Sequence, residues 1–345
     1  MASQQAVTRP VAARRAGPRL RAGIGPTLAV LIGVLGLAGV LWKAFGSGFG
    51  EQGNVPVFIL VTLNGLTLAG LYFISASGLT LIFGLLRVTN LAHGALFLLG
   101  GYVALSFLQN GVPWAVAALL AMLISGAVGL VMHQLFLRWN QGQDLRQALI
   151  TIAVALILAD QMLAYFGGTP SSIPPPAFLA DPLSLGVYHL AYPWFRLAIL
   201  AAAVLVGLLF WLVITRTRAG MIVRAGVDDT PMTSALGVNV QRVFAVAFFV
   251  GSALAGLGGV FAGTSLSLAP GQDQTFLVSA LVVVIVGGMG SLGGAALGSL
   301  LLGLVDQYAS AYLPQAYSNL SVLLTFVLLA VVLAVRPTGL FGKAR

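Results

Sequence analysis

Residues 193–215 read PWFRLAILAAAVLVGLLFWLVIT, and residues 243–268 read VFAVAFFVGSALAGLGGVFAGTSLSL. At about 1.5 Å of helical rise per residue, each run is long enough to cross the roughly 30 Å hydrocarbon core of a bilayer. Because backbone polar groups in lipid must be satisfied internally, each run is predicted to be a membrane-spanning helix. A polar stretch between them, 216–242, reads RTRAGMIVRAGVDDTPMTSALGVNVQR. The sequence therefore predicts two spans joined outside the membrane.

Composition extends this prediction to the whole chain. Of its 345 residues, 59% are hydrophobic and 7% are charged, whereas a soluble domain carries about a quarter charged residues. The predicted fold class is an all-α integral membrane protein, a polytopic helix bundle. Its candidate spanning or half-spanning segments are 24–44, 56–84, 94–110, 114–136, 147–166, 193–215, 243–268, 274–288, 291–312 and 318–335.

The basic residues predict how the chain is oriented. If the N-terminus is cytoplasmic, fifteen of the 17 Lys and Arg residues fall on the cytoplasmic side, and only Lys43 and Arg196 fall outside. This follows the positive-inside rule. It predicts a multi-pass protein of the bacterial cytoplasmic (inner) membrane with both termini in the cytoplasm. The net charge of +9 is then explained by insertion and by anionic membrane lipid, and no nucleic-acid partner is expected.

The first 54 residues are predicted to form a separate region. Residues 1–23 are a basic tail, and 24–54 are predicted to be an additional transmembrane helix with an external loop. An uncleaved helix is favoured over a signal peptide because the apolar run is longer than a typical signal-peptide core. Residues 55–342 form the main membrane domain.

Two glycine-rich breaks, at 84–102 and 287–298, interrupt the helical pattern. Discontinuous helices expose backbone groups at depth, which is tolerated only inside protein or along a wet path. Corresponding breaks in two halves of a chain are typical of transporters built from repeats. The breaks therefore predict a translocation path, with close helix packing at glycine as the alternative. The candidate path residues are Asn64, Asn90, His93, Gly94, Gly287, Gly288, Gly290 and Ser291.

Polar side chains at depth each have a second explanation. The Asn64 amide either bonds a neighbouring helix or meets a substrate. Asn90 and His93 are more simply explained as side chains that satisfy backbone groups in a broken helix. Asp160 and Asp306 are functional candidates because ionisable groups are costly in a membrane, and solvation near the interface is the alternative.

The sequence offers little for catalysis or metal binding. With no cysteine and three scattered histidines, it predicts no metal site. The Gly342–Lys343 pair is not part of a phosphate-binding loop, so no catalytic residue and no cofactor are expected in this chain. One alternative is an intramembrane hydrolase in which His93 acts as the base for Ser291.

The polar stretch 216–242 contains start and stop signals for one short helix. Asp229 or Thr230 can cap its N-terminus, Pro231 suits the first helical position, and Gly237 suits a left-handed C-terminal stop. These signals predict a helix of about two turns around MTSAL. So short a helix is unstable alone, and we expect it to pack against something. The alternative is an ordinary capped loop.

Four segments, in this order, resemble the permeases of branched-chain amino-acid ABC importers, in the LivH-like branch. They read NGLTLAGLYFISASGLTLIFGLLRVTNLAHGALFLLGGYVAL, RAGVDDTPMTSALGVNVQRV, GGMGSLGGAALGSLLLGL and RPTGLFG. The resemblance covers about Val57 to Gly342. It implies the type II ABC importer permease fold for 55–342, with discontinuous helices, and transport of branched-chain or related hydrophobic amino acids.

The resemblance also implies partners. They are a second related permease subunit, two cytoplasmic ABC ATPases that bind ATP and magnesium, and an external solute-binding protein. The loop 216–242 corresponds to the family's coupling helix, which docks in a cleft of the ATPase. On that match, the residues that carry the contact or its shape are Arg224, Asp228, Asp229, Thr230, Pro231, Ala235, Leu236 and Gly237.

Two features leave alternatives open. Permeases of this branch usually begin near the NGLTLAG helix, so residues 1–54 are an extension. Similar permeases transport urea, short amides or aromatic acids, which are therefore alternative substrates. An ion-coupled secondary transporter or channel is an alternative of another class, although the sparse intramembrane charge argues against it.

Overall fold

A computed structural model describes residues 55–86, 88–184, 186, 190–228, 230–313 and 320–342, together with Gly39, Trp42, Lys43 and Gly46. The predicted tail 1–23 lies outside the described residues, as does almost all of the predicted helix 24–44.

Eleven α-helices make up most of the described part. They are α1 (Val55–Leu86), α2 (His93–Gln109), α3 (Trp114–Met132), α4 (Asp144–Phe166), α5 (Trp194–Arg216), α6 (Arg218–Asp228), α7 (Thr230–Ala235), α8 (Val240–Ser265), α9 (Gln272–Gly287), α10 (Leu292–Tyr312) and α11 (Leu320–Val335). A π-helical turn, His133–Leu137, and a 3-10 turn, Arg138–Asn140, extend α3. The strands β1 (Pro182–Ser184) and β2 (Ala191–Pro193) form a small antiparallel hairpin, preceded by a 3-10 turn at Ala177–Leu179.

The predicted all-α polytopic bundle is confirmed. Within the described ranges, six helices are long and apolar enough to cross a membrane, and three more are apolar but shorter. Nine predicted segments coincide with α1–α5 and α8–α11 to within a few residues. The agreement arises because membrane thickness fixes the length of an apolar run, and this length is legible in sequence.

The bundle has two distinguishable ends. The end that carries β1, β2 and the start of α5 is the hairpin end. The other end carries α6, α7 and the turn that follows them, residues 218–237, which we call the knob. Helix α1 runs from the hairpin end to the knob end: Asn64, in its first third, bonds Arg196 at the start of α5. Leu85, near its last residue, packs with Val240 at the start of α8.

Helices α2 and α9 begin in the middle of the bundle. His93, the first residue of α2, hydrogen bonds through Nε2 to the carbonyl of Ser75, 2.9 Å away and eleven residues before the end of α1. The segment 88–92 therefore returns into the bundle from the knob end. The segment 266–271 returns from the hairpin end, and α9 then starts beside α2, with the Asp273 carbonyl against Gly94. The N-termini of two half-length helices thus meet inside the protein.

The described chain repeats one arrangement in opposite directions. A long helix, a re-entrant segment, a short helix and two further helices occur as α1–α4 and again as α8–α11. Helices α1 and α8 pack together at the centre, and α10 packs on α1 as α3 packs on α8. The break that corresponds to 88–92 is therefore 266–271. The predicted second break, 287–298, is the α9–α10 turn and the first turns of α10.

Close helix approach at the centre depends on glycine. Gly100 of α2 lies against the backbone of Gly256 in α8, and a Cβ at Gly259 would lie 1.7 Å from the Phe97 carbonyl oxygen. Lipid gives helices little hydrophobic reason to associate, so close packing at small residues supplies the attraction. We call residues 90–97, 256–259 and 272–277, which meet here, the junction.

Candidate functional site

Three predicted path residues, Asn90, His93 and Gly94, meet in the junction. Asn90 holds the turn before α2: its Oδ1 accepts from the Ala92 amide at 3.1 Å, and its carbonyl accepts from the His93 amide at 3.2 Å. The side chains of Asn90 and His93 are fully buried. The explanation that these side chains satisfy backbone groups in a broken helix therefore agrees with their hydrogen bonds.

The junction and Ser75 of α1, which borders it at Gly258, also contain polar atoms that these bonds leave unused. Among the described residues, Ser75 Oγ, Asn90 Nδ2, His93 Nδ1 and Gln272 Oε1 are buried and have no hydrogen-bond partner. Asp273 is buried in the first turn of α9, where the helix dipole favours a carboxylate. Native proteins leave few buried polar atoms unpaired. Donors and acceptors are thus concentrated at mid-depth, where a polar group passing through the bundle could bind.

The other predicted path residues, Gly287, Gly288, Gly290 and Ser291, form the α9–α10 turn at the knob end. Ser291 Oγ accepts from the Gly294 amide at 3.1 Å and so caps α10. The C-terminal tail covers this turn, since the Leu340 and Phe341 amides donate to carbonyls of α9. Ser291 and His93 are not hydrogen bonded to each other. The Ser–base pair required by the hydrolase alternative is therefore not formed.

Asn64 lies apart from both groups, at the hairpin end. Its Oδ1 accepts from Arg196 Nη1 of α5, so it bonds a neighbouring helix. It also lines a cavity of about 130 Å³ between α1, α5, α10 and the end of α8. The hydrogen bond agrees with the first interpretation of Asn64, and contact with a substrate stays a prediction. The candidate path residues occupy three levels of the bundle: its hairpin end, its middle and its knob end.

The two acidic candidates have different surroundings. The Asp306 carboxylate accepts from the Tyr72 hydroxyl at 2.8 Å, which links α10 to α1. Asp160 is exposed on α4. Asp306 is therefore held inside the protein, and Asp160 has the exposure expected of a solvated residue.

The knob contains the predicted short helix as α7, Thr230–Ala235. It stops at Gly237, whose φ of 86° is left-handed, and the amides of Leu236 and Gly237 donate to carbonyls of the last turn. This is the C-terminal stop that the sequence predicts. The N-terminal caps cannot be placed, because Asp229 and the side chains of Asp228, Thr230 and Pro231 lie outside the described residues. The preceding helix, α6, was not predicted as a separate element.

Several apolar side chains of the knob are exposed. Leu236 is 74% exposed, and Met221 and Met232 are also exposed. Ala235 is exposed as well, and Arg224 turns back to donate to the Ile214 carbonyl of α5. Exposed apolar side chains clustered on a polar projection are typical of a protein interaction site.

Three polar residues near these sites were not singled out from the sequence. Asp273 and Gln307 have no sequence signal stronger than a polar residue at the end of an apolar run. In the sequence, the Arg196 charge indicates only the orientation of the chain. An arginine two residues after the start of a spanning helix could have been recognised as a candidate, because membrane charges are usually placed for function.

Comparisons with known proteins agree with this architecture. The family described as "Branched-chain amino acid transport system / permease component" matches residues 61–333. The high-affinity branched-chain amino acid transport system permease protein BraD of Pseudomonas aeruginosa is 28% identical over 295 residues, covering 81% of this chain and 94% of that protein. LivH of Escherichia coli is 28% identical over 300 residues, covering 83% and 96%. The ribose import permease protein RbsC of Escherichia coli is 25% identical over 268 residues, covering 75% and 80%.

The matched family residues overlap every candidate spanning helix of the described part and include the junction and the knob. The structure is that of a multi-pass membrane protein built from paired long and half-length helices. The chain belongs to the family of permease components of branched-chain amino acid transport systems.

Proposed function

We propose that the chain imports branched-chain or related hydrophobic amino acids, as the membrane subunit of an ATP-driven complex. An external solute-binding protein would deliver the substrate. The names of relatives that align over 81% and 83% of this chain support this substrate class. A second, related permease subunit and two ABC ATPases would complete the complex. ATP and magnesium would bind to the ATPases, and we expect no cofactor in this chain.

The proposed location is the bacterial inner membrane, with both termini and the knob in the cytoplasm. Of the eight arginines described after residue 55, seven lie at the knob end and one lies at the hairpin end. Basic residues concentrate on the cytoplasmic side of membrane proteins, which supports this orientation. The seven are Arg138, Arg146, Arg216, Arg218, Arg224, Arg242 and Arg336.

The observation that carries the proposal is the exposed, sharply ended helix α7. Leu236 exposes most of its side chain, and the left-handed Gly237 ends the helix there. A projection of this kind gives a separate motor subunit a defined surface on which to act. The proposal includes a coupling role for the predicted knob residues, which are Arg224, Asp228, Asp229, Thr230, Pro231, Ala235, Leu236 and Gly237.

The helix contacts suggest how a push on the knob would reach the path. Helix α6 contacts α1, α5 and α8, and four residues join α7 to α8. Helix α8 in turn packs against α2 at Gly256 and Gly259 in the junction. Movement of the ATPases would therefore tilt α5 and α8 and shift the junction, which alternately opens the path to the two sides.

The test is ATP-driven uptake of L-leucine by the four-subunit complex in proteoliposomes, with its binding protein. Leu236→Arg should lower both uptake and stimulated ATP hydrolysis at least tenfold, because a charge would replace an apolar docking contact. The matched control is Leu145→Arg, at the start of α4 on the same end, where Leu145 is 77% exposed. The control should insert normally and transport at near the parental rate.

Two results would overturn the proposal. Coupled uptake by Leu236→Arg at the parental rate would remove the coupling role of the knob. Uptake that follows an ion gradient without any ATPase would identify a secondary transporter instead. Urea, a short amide and L-phenylalanine should be tested beside L-leucine, each with its own binding protein, because they are the alternative substrates.

A further inference from the structure

The cavity at the hairpin end contains an arginine, Arg196, that has no acidic partner in the part of the chain that the structure describes. Among the described residues, no Asp or Glu carboxylate lies within 4.0 Å of the Arg196 side chain. Its cavity of about 130 Å³ is lined by Asn64, Thr67, Leu68, Leu71, Arg196, Ser265, Leu266 and Gln307. Arg196 and Asn64 are half-buried, and Leu266 is 50% exposed, so the cavity opens at the surface of this end.

The Arg196 guanidinium is held in place by neutral groups. Nη1 donates to Asn64 Oδ1, and the guanidinium carbon lies 6.0 Å from the centre of the Tyr192 ring. A guanidinium has five N–H donors and no acceptor, so one bond to a neutral amide leaves four donors, and the positive charge has no acidic partner within the described ranges. A charge near the membrane is costly unless it is paired or functional. The fixed arginine is therefore ready to accept an anion.

The other walls of the cavity indicate what kind of anion would fit. Gln307 supplies an amide, while the Thr67 hydroxyl is already bonded to the Tyr192 hydroxyl at 2.9 Å. Leu68, Leu71 and Leu266 line the apolar side. A cation and an amide beside an aliphatic wall suit a carboxylate attached to a short aliphatic group.

The volume and the lining of the cavity restrict the ligand further. At about 30 Å³ for each water molecule, the cavity holds roughly four waters, enough for the head group of one amino acid. The Tyr72–Asp306 pair lies one residue along α1 and α10 from Leu71 and Gln307, which line the cavity. The residues that line the cavity include no acid, so the cavity favours the carboxylate end of an amino acid.

We propose that this cavity is a subsite that binds the α-carboxylate of an amino acid at the hairpin-end mouth of the path. Arg196 is the charged donor, Gln307 is a second donor, and Asn64 positions the guanidinium. The proposal rests on the proposed function, because the hairpin end must face the side from which substrate arrives.

The test measures binding to the full chain in phosphatidylcholine nanodiscs by saturation-transfer NMR. The probes are L-leucine, isovalerate, which lacks the ammonium group, and leucinamide, which lacks the carboxylate. L-leucine and isovalerate should bind saturably, and leucinamide should bind at least tenfold more weakly. Arg196→Gln should weaken the first two at least tenfold. The control Arg146→Gln, an exposed arginine at the other end, should leave binding unchanged.

Two further variants separate binding from folding. Arg196→Lys keeps the charge but loses the planar fork, so it should bind L-leucine with intermediate affinity. Gln307→Leu keeps Arg196 and should weaken L-leucine several-fold. Each variant must elute as a single species and unfold within a few degrees of the parent. If Arg196→Gln does not fold, the L-leucine affinities of Arg196→Lys and Gln307→Leu still test the assignment, because both should be weaker than the affinity of the parent.

Three results would overturn the proposal. One is equal binding of leucinamide and L-leucine, and another is unchanged L-leucine binding by Arg196→Gln. The third is absence of L-leucine binding together with Arg196-dependent binding of phosphatidylglycerol, which would assign the arginine to a lipid headgroup. ATP-driven uptake in the full complex separates the two hypotheses. Normal uptake by Arg196→Gln removes the subsite alone, whereas L-leucine binding without ATP-driven uptake removes the proposed function alone.

Discussion

The junction and the knob both depend on glycine, but for different physical reasons. In the junction, a Cβ at Gly259 would lie 1.7 Å from a backbone oxygen of the neighbouring helix. In the knob, a Cβ at Gly237 would meet nothing within 4 Å, and the residue is required for its positive φ of 86°. At Gly259 there is no room for a side chain. At Gly237 there is room, and glycine is favoured because residues with a side chain rarely adopt a positive φ.

This difference predicts that substitutions in the junction mainly lower the stability of the fold, whereas substitutions in the knob mainly affect coupling. Helices that pack through glycine inside the bundle cannot accept an added atom without moving apart, so changes in the junction should be felt by the whole fold. Most of the knob surface is exposed, so side-chain changes there should leave the fold intact. Three substitutions test this difference, and we expect their effects on stability to decrease in the order given.

The largest effect is expected for Gly259→Ala. The new methyl group would clash with backbone atoms of Phe97 on α2, which cannot rotate away, so we expect a loss of about 3 kcal/mol or more. Thermal unfolding in detergent measures it. The control is Gly293→Ala in the first turn of α10, where a Cβ meets nothing within 4 Å. Equal unfolding temperatures for the two variants would show that the junction is not tightly packed.

An intermediate effect is expected for Tyr72→Phe, beside the junction. Tyr72 packs edge-on against Phe276 of α9 and donates to the Asp306 carboxylate at 2.8 Å. Loss of a hydrogen bond to a carboxylate should cost about 2 kcal/mol. The matched control is Tyr308→Phe, which loses a bond to the Thr62 hydroxyl at 3.0 Å and should cost about 1 kcal/mol. A smaller loss for Tyr72→Phe than for its control would show that the Tyr72–Asp306 hydrogen bond contributes little to stability.

The smallest effect on stability is expected for Gly237→Ala in the knob. An alanine with positive φ is strained by about 1 kcal/mol, and the strain can be relieved by fraying of α7 alone. Hydrogen exchange should therefore accelerate at residues 230–238, while exchange in the bundle stays as in the parent. Faster exchange throughout α8 would show that the knob and the junction are one cooperative unit.

The sequence was a good guide to properties that are local to a segment. The lengths of the apolar runs predicted the positions of the spanning helices, because membrane thickness sets that length. Gly237 predicted where α7 ends, because a left-handed residue at the end of a helix is usually glycine. The sequence was a poor guide to the second break: 266–271 reads LSLAPG, with a single glycine, whereas the glycine-rich 287–298 is a turn at the knob end.

The candidate site was only partly predictable. Asn90, His93 and Gly94 were found together because they are close in sequence. Arg196 was missed as a ligand-binding candidate because its partners come from other helices: Asn64 is 132 residues away, and Gln307 belongs to α10. Only the packing of α1, α5 and α10 brings these side chains around one cavity.

The sequence by itself therefore determined that the chain is an all-α membrane protein, where its spans lie and where the short helix of the knob ends. The tertiary structure alone decided that α2 and α9 begin at mid-depth and that Arg196 lines a cavity. Hydrophobic length and local backbone preference belong to each segment separately. The depth of a helix start and the neighbours of a side chain depend on how distant helices pack, which no single segment specifies.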